Sequence, residues 1–208
     1  MTALLRLAYK SQYDPDAALS RNDCGPACLA MLLSGLGIAV TTDDVFHRTG
    51  ASPAGYVSMA QLLRAGDNYG APLVFRAGCG LADLRGYLNH GRPLIALVHY
   101  GVFSELQPGV STQNPFTGPH FLLVVGYDPH SVVVHDPLWT GDRRGEGAFR
   151  RWPNAVWERA WDSCHTDCDA QGNCNPDGAA LISARSVKPG LRGPLLNQED
   201  RGLFTNGD

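Results

Sequence analysis

The sequence predicts an α+β fold, with N-terminal helices packed on a mostly antiparallel β-sheet. Two observations predict it. In the first half, apolar residues recur at helical spacing behind capping residues, whereas the second half carries short runs of branched apolar residues bounded by Gly, Pro, Asp and Asn. Helices followed by strands, rather than strands alternating with helices, give the α+β order. The 208 residues suit one domain with a sizeable core. From Ser186 the composition turns rich in Gly, Pro and polar residues, which divides the chain into a domain over residues 1–185 and a tail over 186–208, expected to be an extended arm or disordered.

The first predicted element is the helix of "NDCGPACLAMLL" (Asn22 to Leu33). Pro26 suits a first helical position, the apolar residues cover nearly every face, and Gly35 and Gly37 stop the run, so this helix should be central and buried. "TTDDVFHRTG" predicts a short helix capped by Thr42. Ser58 and Gln61 have capping-box spacing ahead of another helix. "LADLRGYLNHG" predicts a third short helix, with Leu81, Leu84 and Leu88 on one face. Strands follow in "RPLIALVHY", "PHFLLVVGYD", "SVVVHDP" and "AALISAR", with one helix in "WPNAVWERAW" between the last two. The stretch Gly101 to Pro119 is long for a connection in a compact domain and runs into His120, which suggests the wall of a substrate cleft or else a plain surface loop.

Composition removes several function classes. A net charge of -3 without basic runs argues against nucleic acid as a partner. The longest apolar stretches fall far short of the roughly 20 residues that span a bilayer. The N-terminus has neither the apolar length nor the cleavage site of a signal peptide. Three of the six cysteines crowd into one loop, which is no disulfide framework. Together these features lean toward a cytoplasmic location.

Cys24 stands at the mouth of the first helix, where the macrodipole and unpaired N–H groups favour a thiolate and lower its pKa. Cys28, one turn inside, reads as packing. A thiolate nucleophile is commonly paired with a histidine that a third group orients. His120 opens the strand "HFLLVVGYD", and a turn through "DPHS" leads to a strand ending at Asp136, so a hairpin would bring His120 and Asp136 within reach. Alternation points His135 to the opposite face. Read separately, Cys24 could be a small structural residue, His120 a strand cap and Asp136 a turn residue; together they fill three catalytic roles in a consistent order.

The segments "Q...DCGPACLAMLL", "GPHFLLVVGYD" and "VVVHDPL" resemble the cysteine, histidine and aspartate motifs of the C39-like peptidases, a branch of the papain-like cysteine peptidase fold, over roughly Tyr9 to Ile182. The resemblance implies Cys24 as nucleophile, His120 as general base and later acid, and Asp136 as the residue orienting the imidazole. It implies Gln12 as the oxyanion donor together with the Cys24 backbone N–H, a peptide or protein substrate, and no cofactor or catalytic metal. The stretch from Gln12 to Cys24 is longer than in the transporter-linked members, and Asn22 is a rival for the oxyanion role. No Walker-type loop occurs, so the chain is not expected to be a bacteriocin exporter.

Cys164, His165, Cys168 and Cys174 are zinc-type ligands in a spacing that fits no familiar zinc motif. Asp167, Asp169 and Gln171 imitate half a calcium loop, but its twelfth position is Gly178. A disulfide or a polar insertion is the simpler reading of that loop. Three functions therefore stay in view: a cysteine peptidase, an amidase or acyl transferase using the same machinery, and a peptide-binding module without turnover.

Overall fold

The computed structural model describes residues 2–17, 23–106, 116–165 and 178–193. Helices α1 (Cys24–Gly35), α2 (Thr42–Thr49) and α3 (Met59–Asn68) precede most of the sheet, with β1 (Ala3–Leu5) ahead of them. There follow β2 (Val74–Arg76), α4 (Leu81–Asn89), β3 (Leu94–His99), α5 (Gly101–Leu106), β4 (Pro119–Tyr127), β5 (Ser131–His135), β6 (Arg150–Pro153), α6 (Asn154–Asp162), β7 (Leu181–Ser183) and β8 (Arg192–Gly193). Every strand pairing is antiparallel. The predicted α+β fold, with helices packed on an antiparallel sheet, is the one observed.

The long central strand β4 organises the sheet. One of its edges pairs with β3 from Pro119 to Val124 and then with β1 at Gly126 and Tyr127, while β5 pairs along Leu123 to Tyr127 with a bulge between Val124 and Gly126. Residues 120–127 are buried throughout, which is why "HFLLVVGY" reads as a continuous apolar run and not as an alternating one. Against β4 packs α1, whose residues Gly25 to Leu33 are all buried. A helix apolar on every face has to lie in the core, and this one does.

Several local expectations are met and others corrected. Ser58 and Gln61 close a capping box on α3. On α2 the cap is Thr41 instead of Thr42: Thr41 Oγ1 accepts from the Asp44 N–H at 2.9 Å and Asp44 returns a bond to the Thr41 N–H at 3.1 Å. The box needs an acid three residues on; Thr42 would face Val45 there. On α4, Leu84 and Leu88 are buried and Leu81 is half-buried. The stretch predicted as a loop from Gly101 begins with α5, whose Phe103 stacks on Trp152 with ring centroids 4.0 Å apart, and its middle, 107–115, lies outside the described residues. After β7 the Val187 N–H donates to the Gly91 carbonyl at 2.8 Å, and β8 pairs with β1. The strands β1, β2, β6 and β8 were not predicted.

Candidate active site

Three elements meet at the N-terminus of α1. Cys24 is the first residue of that helix, and Pro26 sits within its first turn, where a missing N–H costs no hydrogen bond. Gly25 allows the helix mouth to approach β4: a Cβ there would lie 3.1 Å from the Phe121 ring and 3.2 Å from Leu62. Phe121 adjoins His120, so this close packing sets the thiol beside the imidazole.

His120 and Asp136 are brought together by the β4–β5 hairpin, whose register sets Leu123 opposite His135. His120 Nε2 lies 3.0 Å from Asp136 Oδ1, with both side chains buried. That contact leaves Nδ1 for Cys24, with which the imidazole also hydrogen-bonds. Burial pushes the Cys24 thiol up, but the bond and charge of His120, with backbone hydrogen bonds from Phe121 and Gly25, outweigh it, and the net shift is down. Burial pushes His120 the other way; the bonds to Asp136 and Cys24 prevail and raise it to about 9. Both shifts run in the direction of a thiolate–imidazolium pair. Cys28 is held inert: burial, then the charges at Cys24 and Asp136, push its thiol well up, and its Sγ points at the Phe121 carbonyl at 3.5 Å.

Asp136 collects four donors. On Oδ1 these are His120 Nε2 and the Leu138 N–H, the latter at 3.1 Å; on Oδ2 they are the Tyr100 hydroxyl at 2.7 Å and Trp139 Nε1 at 3.0 Å. Burial pushes the carboxyl up, but the His120 bond and charge, the Tyr100 bond and the Arg150 guanidinium together hold it below its usual range. Arg150 stacks over Trp139 at 4.0 Å and over Trp152 at 5.2 Å. The backbone is fixed as well, because the Asp136 carbonyl accepts from Tyr9 at 2.8 Å and its N–H donates to the Gly147 carbonyl at 2.8 Å. Only glycine fits at 147, since a Cβ would overlap the Tyr9 hydroxyl and the Asp136 carbonyl.

Gln12 is buried beside the loop that follows Asp136. Its N–H donates to the Pro137 carbonyl at 2.9 Å, and Ser11 Oγ donates to the carbonyls of Trp139 at 2.6 Å and Pro137 at 3.2 Å. Arg144 ties the same segment down through a double contact with Asp14, at 2.5 and 2.6 Å. Asn22 lies outside the described residues. His135 faces away from Asp136, as alternation predicts: its Nε2 donates to the Leu7 carbonyl at 2.9 Å and its Nδ1 accepts from the Phe149 N–H at 3.2 Å. Of the loop with zinc-type residues, Cys164 is buried and His165 exposed. Cys168 and Cys174, like Asp167, Asp169 and Gln171, lie outside the described residues. Among the described residues no group of three or more His, Cys, Asp or Glu side chains is arranged to hold a metal, and no helix is long and apolar enough to cross a membrane.

Sequence reasoning missed Tyr9, Tyr100, Trp139 and Arg150. The signal for Trp139 was its place three residues after Asp136. Tyr100, just after β3, and Arg150, on β6, gave none.

The fold has known counterparts. A protein from Bacillus anthracis assigned as a C39-like peptidase superposes with a TM-score of 0.59 at 16% identity, over 89% of this chain and 99% of that one. The peptidase domain of Streptococcus ComA, a bifunctional ABC transporter involved in quorum sensing, gives 0.54 at 15% identity, over 86% and 99%. A double-glycine-motif protease from an AMS/PCAT transporter, solved in complex with the leader peptide, gives 0.52 at 18% identity, over 89% and 99%. No curated protein matches the sequence. At these identities the likeness speaks for the fold. The sequence itself matches a family model over residues 4–165, a span that holds Gln12, Cys24, His120 and Asp136, and the chain belongs to the Peptidase_C39 like family.

Proposed function

We propose that the protein is a cysteine peptidase whose catalytic residues are Cys24, His120 and Asp136, within a catalytic domain over residues 1–185. The observation that carries the reading is the buried His120–Asp136 pair at 3.0 Å, with the imidazole also bonded to a thiol at a helix N-terminus. Family membership and the peptidase domains among the structural counterparts support it.

In this mechanism the Cys24 thiolate attacks the peptide carbonyl, and the developing oxyanion is met by the Cys24 N–H and the Gln12 amide. His120, already protonated, gives its proton to the leaving amine as the C–N bond breaks, which leaves an acyl-thioester on Cys24. Neutral His120 then takes a proton from water, the hydroxide equivalent attacks the thioester, and the thiolate leaves as the acid product departs. Asp136 holds the imidazole in the tautomer that presents Nδ1 to sulfur. A peptide substrate agrees with the leader peptide bound by one structural counterpart.

The test is cleavage of a proteome-derived peptide library, read by mass spectrometry, by the parent protein and by Cys24→Ala. Cleavage by the parent, with none by a folded Cys24→Ala variant, is the expected result. A library left intact by the parent, or cut equally by the variant, overturns the reading.

A further inference from the structure

We propose that Tyr100 is a positioning residue of this site: its hydroxyl draws charge from Asp136 Oδ2 so that His120 can release, as well as hold, its proton. The inference rests on the peptidase reading of Cys24 and His120 and concerns the proton balance of the same site.

A buried carboxylate bonded only to an imidazole would concentrate its charge on that one contact. The imidazolium would then be too weak an acid to protonate a leaving amine, because proton transfer is fastest when donor and working pH are matched. Asp136 is not left in that condition. Its two oxygens serve separate pairs, His120 with the Leu138 N–H and Tyr100 with Trp139, and the Tyr100 contact at 2.7 Å is the shortest of the four. A donor on Oδ2 disperses charge that Oδ1 would otherwise direct at His120.

The charged and titratable groups around the pair come from several elements. Cys24 and Cys28 face it from α1, and the Tyr9 hydroxyl binds the Asp136 carbonyl. Arg150 approaches from β6, and Tyr100 follows the end of β3. Of these, His120 and Tyr100 touch the carboxylate oxygens. The Tyr100 phenol is itself driven well above its ordinary value by burial and by Asp136, so it stays a neutral donor throughout the working range. Its ring is held independently of its hydroxyl. The Tyr100 N–H donates to the Gly118 carbonyl at 3.0 Å, and the ring meets His120 edge-on at 5.0 Å and Phe103 at 5.5 Å. Tyr100→Phe therefore removes one hydrogen bond and little packing.

The experiment is a histidine Cε1 NMR titration of the full chain, with the His120 signal assigned by its loss in His120→Ala, alongside the pH profile of peptide cleavage. Tyr100→Phe should move the His120 midpoint upward by about 0.5 pH unit or more. The alkaline limb of kcat/KM should move with it, and kcat should fall while KM changes little. Tyr127→Phe is the control, since it removes a hydroxyl bonded to Asn89 Oδ1 at 2.8 Å at the other end of β4, and it should move neither quantity. Trp139→Phe removes the second donor on Oδ2, should shift His120 in the same direction, and carries the test if Tyr100→Phe fails to fold. A His120 midpoint that is unchanged or lowered in these donor variants overturns the proposal, whatever the cleavage assay shows. A parent protein that cuts no peptide sinks the peptidase reading, and the titration still decides the role of Tyr100.

Discussion

Asp136→Asn tests the site with a change of one atom, and its cost follows from the donors already counted. All four groups on the carboxylate donate, and an asparagine keeps only one accepting oxygen. If the amide nitrogen takes the Oδ2 position, Tyr100 can turn its hydroxyl and accept, but Trp139 Nε1 cannot. If it takes the Oδ1 position, His120 can move its proton to Nδ1, but the Leu138 N–H cannot adapt. Either way one fixed, buried N–H is orphaned, at about 1–3 kcal/mol. For a chain of this size 2 kcal/mol corresponds to about 4–8 °C in melting temperature. The chemistry suffers separately. In one orientation His120 loses its charged partner, and in the other it turns a donor toward the sulfur, so turnover should fall by a factor on the order of 100 to 10,000. His120→Ala should fall further, because it removes the proton carrier itself. Urea unfolding and kcat/KM on one cleaved peptide measure both effects. An Asp136→Asn variant with unaltered midpoint and activity within about twofold of the parent would refute the donor count and the role of Asp136 alike.

Cys28→Ala should keep both cleavage and alkylation of Cys24, losing only packing; a dead Cys28 variant beside an active Cys24→Ala would reverse the assignment of the nucleophile. Gln12→Ala should lower kcat by about 100-fold with KM little changed, whereas Asn22→Ala should leave kcat near that of the parent. The opposite pattern moves the oxyanion role to Asn22. His135 titrates at about 4 because burial disfavours its charge, against about 6.5 in an unfolded chain. Between those values the unfolded state holds the extra proton, so this contribution is fully present above pH 6.5 and is lost as pH falls through 4, on the order of 3 kcal/mol in all. Urea midpoints from pH 7 to 4.5 should therefore fall more steeply for the parent than for His135→Gln, and equal slopes would exclude His135 as the source.

The longer elements were legible because each states its burial in its own residues. The α1 run is apolar on every face, and β4 carries an unbroken apolar run from Phe121 to Val125, so their central place follows from composition over a single window. The missed strands state nothing of the kind. β1 and β2 are three residues each and β8 is two, too short for a period to emerge, and they are strands only because β4, β7 and β1 offer them edges to pair with. β6 consists of "RRWP", in which two arginines suggest a surface turn; Arg150 is nevertheless buried between two tryptophans. A guanidinium is tolerated there because the rings and the nearby carboxylate compensate its burial; Trp152 shares its strand, but Trp139 and Asp136 come from outside it.

The candidate site divides along the same line. Cys24, His120 and Asp136 each occupy the end of an element that can be recognised locally, and one hairpin is enough to bring two of them together. The donors that hold Asp136 are assembled from further away. Tyr100 stands 36 residues before it, and Tyr9, which fixes its backbone, stands 127 before it. Neither tyrosine differs in its local sequence from an ordinary core aromatic, since the polar handle matters only where another strand delivers an acceptor. A candidate catalytic group can thus be picked out from a short motif, whereas its proton affinity is a property of the assembled sheet. For that reason the His120 titration, more than any motif, is where this protein would differ from a chain that keeps the same three residues on a looser fold.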